Sequence, residues 1–110
     1  MISISGKPVV EIPQSFYKVK VGKQVTIPCT ISSKMPITSV YWLVKADDGV
    51  LRSVSCKHNM VNYSVDCPSL TIKKARLCDT GTYKCYALNI AGTGISSLVK
   101  LTVTSTGKIY

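Results

Sequence analysis

A chain of 110 residues is one domain's worth, large enough to bury a core and small enough that cross-links would steady it. Its 14 Lys and Arg against 5 Asp and Glu leave a net charge of +9, which at low salt draws sulfated glycans, acidic proteins or lipid headgroups, although scattered lysines also serve plain solvation. No window approaches the roughly 20 apolar residues of a membrane span, and Lys7 stands where a signal peptide's apolar stretch would lie, so the sequence reads as a mature fragment carrying an initiator methionine.

The predicted elements are strands throughout, with no helix-period run, internal repeat or low-complexity segment. The first spans residues 8–12 and 16–20 and is broken by Pro13, which has no N–H for a ladder. Gly22 turns the chain into a strand over 24–32, where VTIPCTI puts Val25, Ile27, Cys29 and Ile31 on one side. Past Met35-Pro36, VYWLV within 38–46 sets Val40, Trp42 and Val44 on one side. The Asp47-Asp48-Gly49 turn leads to strands over 50–55 and 59–65. Beyond Pro68, SLTI within 69–75 offers Leu70 and Ile72 to a core, and Lys73, Lys74 and Arg76 follow as the densest basic cluster. That cluster is small, so retention on heparin is expected to be weak. Asp79-Thr80-Gly81 turns into a strand over 82–89 with Tyr83, Cys85 and Ala87 on one face, and the Gly92-Thr93-Gly94 turn leads into 95–104. Residues 1–6 and 105–110 read as short frayed ends. Many short strands at this spacing, each with one face to bury, mean a sandwich or a barrel.

Cys29, a tryptophan about a dozen residues on, and then DTGTYKC, with Asp79, Gly81, Tyr83 and Cys85, resemble the signature of the immunoglobulin superfamily. PSLTI before that turn and ALNIAGTG after it resemble I-set domains of cell-adhesion, hemicentin-like and invertebrate immune receptors. The short stretch between Trp42 and Leu70 suits an I-set domain better than a V-set domain with its extra strands. The resemblance implies an all-β, two-sheet immunoglobulin-like sandwich with Greek-key connections: one domain over residues 1–110, its core at about 7–104, cut from a larger extracellular protein. It also implies a disulfide from Cys29 to Cys85 beneath the Trp42 indole, and a corner at Tyr83 whose hydroxyl bonds backbone a few residues upstream. Asp79 in this family commonly pairs with an arginine at the start of a sheet-edge strand, a place for which Arg52 and Lys57 are the candidates here.

Five cysteines exceed the family's usual pair. An I-set topology brings Cys56 and Cys67 toward the same end, which allows a second bridge, with free thiols as the alternative. Cys78, in the turn before 82–89, is an odd thiol, open to intermolecular pairing or inert in its turn. Cys56-x-His58 offers at most three ligands where a zinc site wants four, so His58 reads as a surface residue and no metal or other cofactor is expected. Asn62-Tyr63-Ser64 is an N-glycosylation acceptor; with the surplus cysteines it points to an extracellular setting, secreted or in the ectodomain of a membrane protein.

One histidine, five scattered acids and no nucleophile elbow or phosphate-binding glycine loop leave no acid–base pair or triad, so no enzyme is expected. Three roles remain: a protein-recognition module for cell adhesion or innate immunity, binding a partner or itself; a basic module binding an anionic glycan or microbial surface; and an elastic structural repeat. Nucleic acid finds no support. Strand alternation separates them. If Trp42, Tyr83, Cys85, Val99, Leu101 and Val103 point inward, then Tyr41, Leu43, Lys45, Lys84, Tyr86, Leu88, Leu98 and Lys100 point outward on the strands over 38–46, 82–89 and 95–104, the C, F and G strands of such a domain. Two tyrosines and three leucines inside a lysine rim are interface anatomy. The alternative is that β propensity favours the tyrosines there and lysine stems cover the leucines. Lys18 and Lys20, on a separate short strand near the sheet's edge, are expected to matter little.

Overall fold

Strands whose apolar residues alternate with polar ones must bury one face against another layer, and in the computed structural model, which describes residues 6–54 and 61–105, that layer is a second sheet. In chain order the strands are β1 (Val9–Glu11), β2 (Phe16–Lys20), β3 (Val25–Ile27), β4 (Thr30–Ser32), β5 (Ser39–Ala46), β6 (Leu51–Ser53), β7 (Val61–Asn62), β8 (Leu70–Ile72), β9 (Gly81–Asn89), β10 (Gly92–Ile95) and β11 (Val99–Thr104). A single 3₁₀ turn, Leu77–Asp79, is the helical element among the described residues.

One sheet has the order β2-β11-β9-β5-β6. Its pairs are antiparallel except β2, which runs parallel to β11. The second layer holds β3-β8-β7, and β1 pairs with β4, which follows β3 after Pro28 and Cys29. The first strand is indeed split: β1 belongs with β4, β2 with β11, and Pro13 lies between.

Two long strands expected from the sequence are each divided. Over 24–32, Pro28 cannot donate to a ladder, and the Cys29 amide bonds Ser69 Oγ (2.9 Å) instead of a strand neighbour. Over 95–104, the ladder breaks at residues 96–98: Ser96 N–H bonds the Cys85 carbonyl and its hydroxyl accepts from the Cys85 amide, each at 2.9 Å. β9 is therefore shared, its first residues pairing with β11 and its last four with β10. Gly92 to Gly94 form strand rather than turn, and the turn falls at Ile90 and Ala91. Gly94 permits this, because a Cβ there would land on the Pro8 carbonyl oxygen. Buried Asn89 pins the same end: its amide donates to Gly6 O (2.8 Å) and Ser33 Oγ (2.9 Å), and its oxygen accepts from Ala91 and Gly92 amides.

Between the layers lie Ile27, Leu70, Ile72 and Cys29 from one side and Trp42, Tyr83, Cys85, Ala87, Val99, Leu101 and Val103 from the other, all buried. The inward phase expected for the last six strand positions other than Ala87 is the phase observed. Expected strand residues 55, 59 and 60, with Cys56, Lys57 and His58, lie outside the described residues.

Candidate functional site: the outward face of the β2-β11-β9-β5-β6 sheet

Burying Trp42 against Cys85, its register partner, obliges the flanking residues to face away from the core. Register then sets them in rows: Tyr41 opposite Tyr86, Leu43 opposite Lys84, and Lys45 opposite Thr82, which in turn faces Lys100 on β11. Tyr41 and Tyr86 stack, with ring centroids 4.9 Å apart and planes 3° from parallel. Both are partly exposed. Leu88 lies one row further on, opposite Ser39. Leu98 sits in the break between β10 and β11 and is exposed.

Three apolar residues on this face were not singled out in the sequence. Ile95 on β10 is the register partner of Tyr86, Leu51 on β6 that of Lys45, and Phe16 on β2 that of Lys100. They are 52%, 62% and 50% exposed. Alternation within β2, where Tyr17 and Val19 pack on the core, could have flagged Phe16; its place beside Lys100 required the parallel pairing. The same pairing carries Lys18 and Lys20 outward with Phe16 on the short edge strand β2, at the margin of the face.

The electrostatics of the face are one-sided. Lys100 Nζ contacts Asp47 Oδ1 at 3.1 Å, while no ion pair holds Lys45 or Lys84 among the described residues. An apolar strip of Leu43, Tyr41, Tyr86 and Ile95 is thus bordered by cations.

Behind the face the supports are specific. Trp42 Nε1 donates to the Pro68 carbonyl (2.8 Å), tying the two layers together. The Cys29 and Cys85 sulfurs lie 3.4 Å apart and are buried. The contact with Cys29 and burial both push the Cys85 thiol up. The Tyr83 hydroxyl donates to the Asp79 carbonyl four residues upstream. Asp79 in turn accepts from the Arg76 amide (2.8 Å) and guanidinium (3.4 Å), so its ionic partner is the local Arg76, while Arg52 pairs with Asp48 at 3.6 Å.

Burial, then the Asp79 charge, raise the Tyr83 phenol above its ordinary value of 10.0. A raised acid favours its neutral form in the fold, so its contribution is complete below about pH 10 and is lost as pH rises further. Tyr83→Phe should cost about 1 kcal/mol at neutral pH, and urea midpoints should fall less steeply above pH 10 for the variant than for the native chain.

Among the described residues no three His, Cys, Asp or Glu are grouped to hold a metal, and no helix is long and apolar enough to cross a membrane. Cys67 and Cys78 are exposed and lie beyond opposite ends of β8. Asn62 is exposed on β7, in the other layer.

Two packed sheets, a tryptophan beside a buried cysteine pair that spans them, and a tyrosine corner define an immunoglobulin domain. Residues 8–103 match the model of the immunoglobulin I-set domain, and the chain belongs to that family. Over 86 residues, 78% of its length, it is 31% identical to hemicentin-1 of Homo sapiens and equally to hemicentin-1 of Mus musculus, of each of which it spans 1%. Among solved structures, the tandem Ig repeats of Dlar match with a TM-score of 0.72 and 26% identity, over 92% of this chain and 50% of that one. The N-terminal Ig1-2 module of the Drosophila receptor protein tyrosine phosphatase DLAR matches with a TM-score of 0.69 and 29% identity, over 90% and 46%. Domains of this kind are in general recognition modules rather than enzymes.

Proposed function

We propose that this domain is an extracellular protein-recognition module, one unit of a longer chain in cell adhesion or innate immune recognition, and that it binds through the outward C, F and G face. The observation that carries this is the stacked Tyr41–Tyr86 pair. It lies on the two central strands with Leu43 and Ile95 beside it and Lys45, Lys84 and Lys100 at its margin. Aromatic anchors near the centre of an interface are where binding energy concentrates, and a charged rim sets partner and rate. The uncompensated lysines favour a partner with carboxylates around an apolar centre.

The setting follows from chemistry that sits away from this face. A glycan on Asn62 would decorate the other layer and leave the tyrosines free. A Cys29–Cys85 bridge would join the layers beneath Trp42, and a second bridge from Cys56 to Cys67 would leave Cys78 as the odd thiol. All three modifications belong outside the cytosol.

Sedimentation of the purified domain, with and without reductant, tests the face against itself as partner. Concentration-dependent dimers that Tyr86→Ala weakens by a factor of tens, without lowering the melting temperature, are the expected result for homophilic binding. For a heterophilic partner, native domain immobilised beside the Tyr86→Ala and Leu43→Ser variants should retain an ectodomain that the variants release. If both substitutions leave association and ligand capture unchanged, the face is ordinary surface and the loops at residues 31–38 and 89–94 take its place. A dimer abolished by reductant alone would instead place the contact at Cys78.

A further inference from the structure

We propose a second binding site at the end of the sandwich away from Asn89: a lysine cradle for a linear sulfated glycosaminoglycan. The turn after β2 closes with Lys23 N–H on the Lys20 carbonyl (3.1 Å), which brings Lys20 and Lys23 within about 7 Å at Cα. The residues after β8 then bond to that turn. Gly22 N–H donates to Ala75 O (2.8 Å) and Ala75 N–H to Lys23 O (2.9 Å), so Lys73 and Lys74 arrive beside Lys20 and Lys23. All four side chains are exposed.

The acids at this end are already engaged. Asp47 contacts Lys100, Asp48 contacts Arg52, and Asp79 contacts Arg76. Arg76, part of the sequence's basic cluster, is therefore committed to the tyrosine corner. Lys20 and Lys23, fifty residues or so away in the chain, take its place. None of the four lysines has an ionic partner among the described residues.

The class of ligand follows from what surrounds the lysines. Residues 20–24 and 73–76 contain no aromatic side chain on which a base could stack, which argues against a nucleic acid. They offer no apolar centre of the kind a folded protein partner needs. Exposed Leu77 nearby is a single side chain, not the apolar face that an interfacial helix buries in a bilayer. Point charges on long flexible stems, carried on two segments joined through their backbones, suit sulfates repeated along a flexible chain. With four charges neutralised, the counterion-release relation for single-stranded polyanions gives a slope of about −3 in log affinity against log salt. Binding should then weaken on the order of fiftyfold between 50 and 200 mM salt.

The probe is a size-defined heparin oligosaccharide, titrated into the native domain and into two variants of equal charge change. Lys23→Glu/Lys73→Glu/Lys74→Glu should lose binding by at least tenfold. Lys34→Glu/Lys45→Glu/Lys84→Glu, reversed elsewhere on the surface, should lose much less, and Tyr86→Ala should bind as the native domain does. Circular dichroism melts establish that each variant is folded. Because Tyr86→Ala tests only the protein-binding face, the two sites stand or fall separately. Equal loss in both triple variants would overturn the site in favour of diffuse net charge. Binding to phosphatidylserine-containing vesicles, to oligo-dT or to unsulfated hyaluronan as tight as to heparin would overturn the ligand class. No binding of heparin at 50 mM salt would overturn both.

Discussion

Trp42→Ala is expected to lower the stability of the domain by about 3–5 kcal/mol, the usual cost of deleting a large buried aromatic. The indole is fully buried at the middle of β5, opposite Cys85 in register. Its Nε1–H satisfies the Pro68 carbonyl of the other layer, so truncation opens a cavity and also strands a part-buried acceptor. Domains of this size have roughly 5–15 kcal/mol in hand, so the variant should retain a folded state with a sharply lower denaturation midpoint. Trp42→Phe separates the two causes. It keeps most of the volume and loses the hydrogen bond, and should cost about 1–3 kcal/mol. A loss under about 1 kcal/mol for the alanine variant would mean that the interlayer core collapses around the gap, contrary to the packing described.

The second large effect concerns Cys29 and Cys85. Their sulfurs face each other across the layers at 3.4 Å, with Trp42 beside them. Closing that loop of 56 residues removes unfolded-state freedom worth about 4 kcal/mol under the chain-entropy relation. Oxidised protein should therefore lose about that much stability on full reduction, read as the shift between urea curves with and without reductant. Peptide mapping without reduction should recover a 29–85 link and, with it, a link between Cys56 and Cys67. A map joining Cys56 or Cys67 to Cys78 would overturn the loop placement, since Cys67 and Cys78 flank opposite ends of β8. Coincident urea curves would mean that the pair does not close into a disulfide.

Much of this was legible along the chain because strand periodicity is local. Alternation alone placed Trp42, Tyr83, Cys85, Val99, Leu101 and Val103 inward, and so turned Tyr41, Leu43, Lys84, Tyr86 and Leu88 outward. Pro13 marked the break between β1 and β2 for an equally local reason, its missing N–H. Where the reading went astray, a distant group had supplied the hydrogen bond. Pro28 would have warned of a break within 24–32, but the acceptor for the Cys29 amide is the Ser69 hydroxyl. The interruption at residues 96–98 depends on Ser96 bonding Cys85 on another strand, which leaves no periodic trace.

The sequence by itself thus determined the strand content and the central half of the candidate face through side-chain alternation, while the buried cysteine pair with its tryptophan and the tyrosine corner came from its resemblance to the immunoglobulin superfamily. The tertiary structure alone decided which edges join them. Parallel pairing of β2 with β11 brought Phe16 and Lys18 onto the face, and pairing of β10 with β9 brought Ile95 against Tyr86. Two backbone hydrogen bonds between Gly22, Lys23 and Ala75 gathered Lys20, Lys23, Lys73 and Lys74 at one end. Such neighbours are set by which strand edges find each other in three dimensions, and the period of a single strand carries no information about its partner.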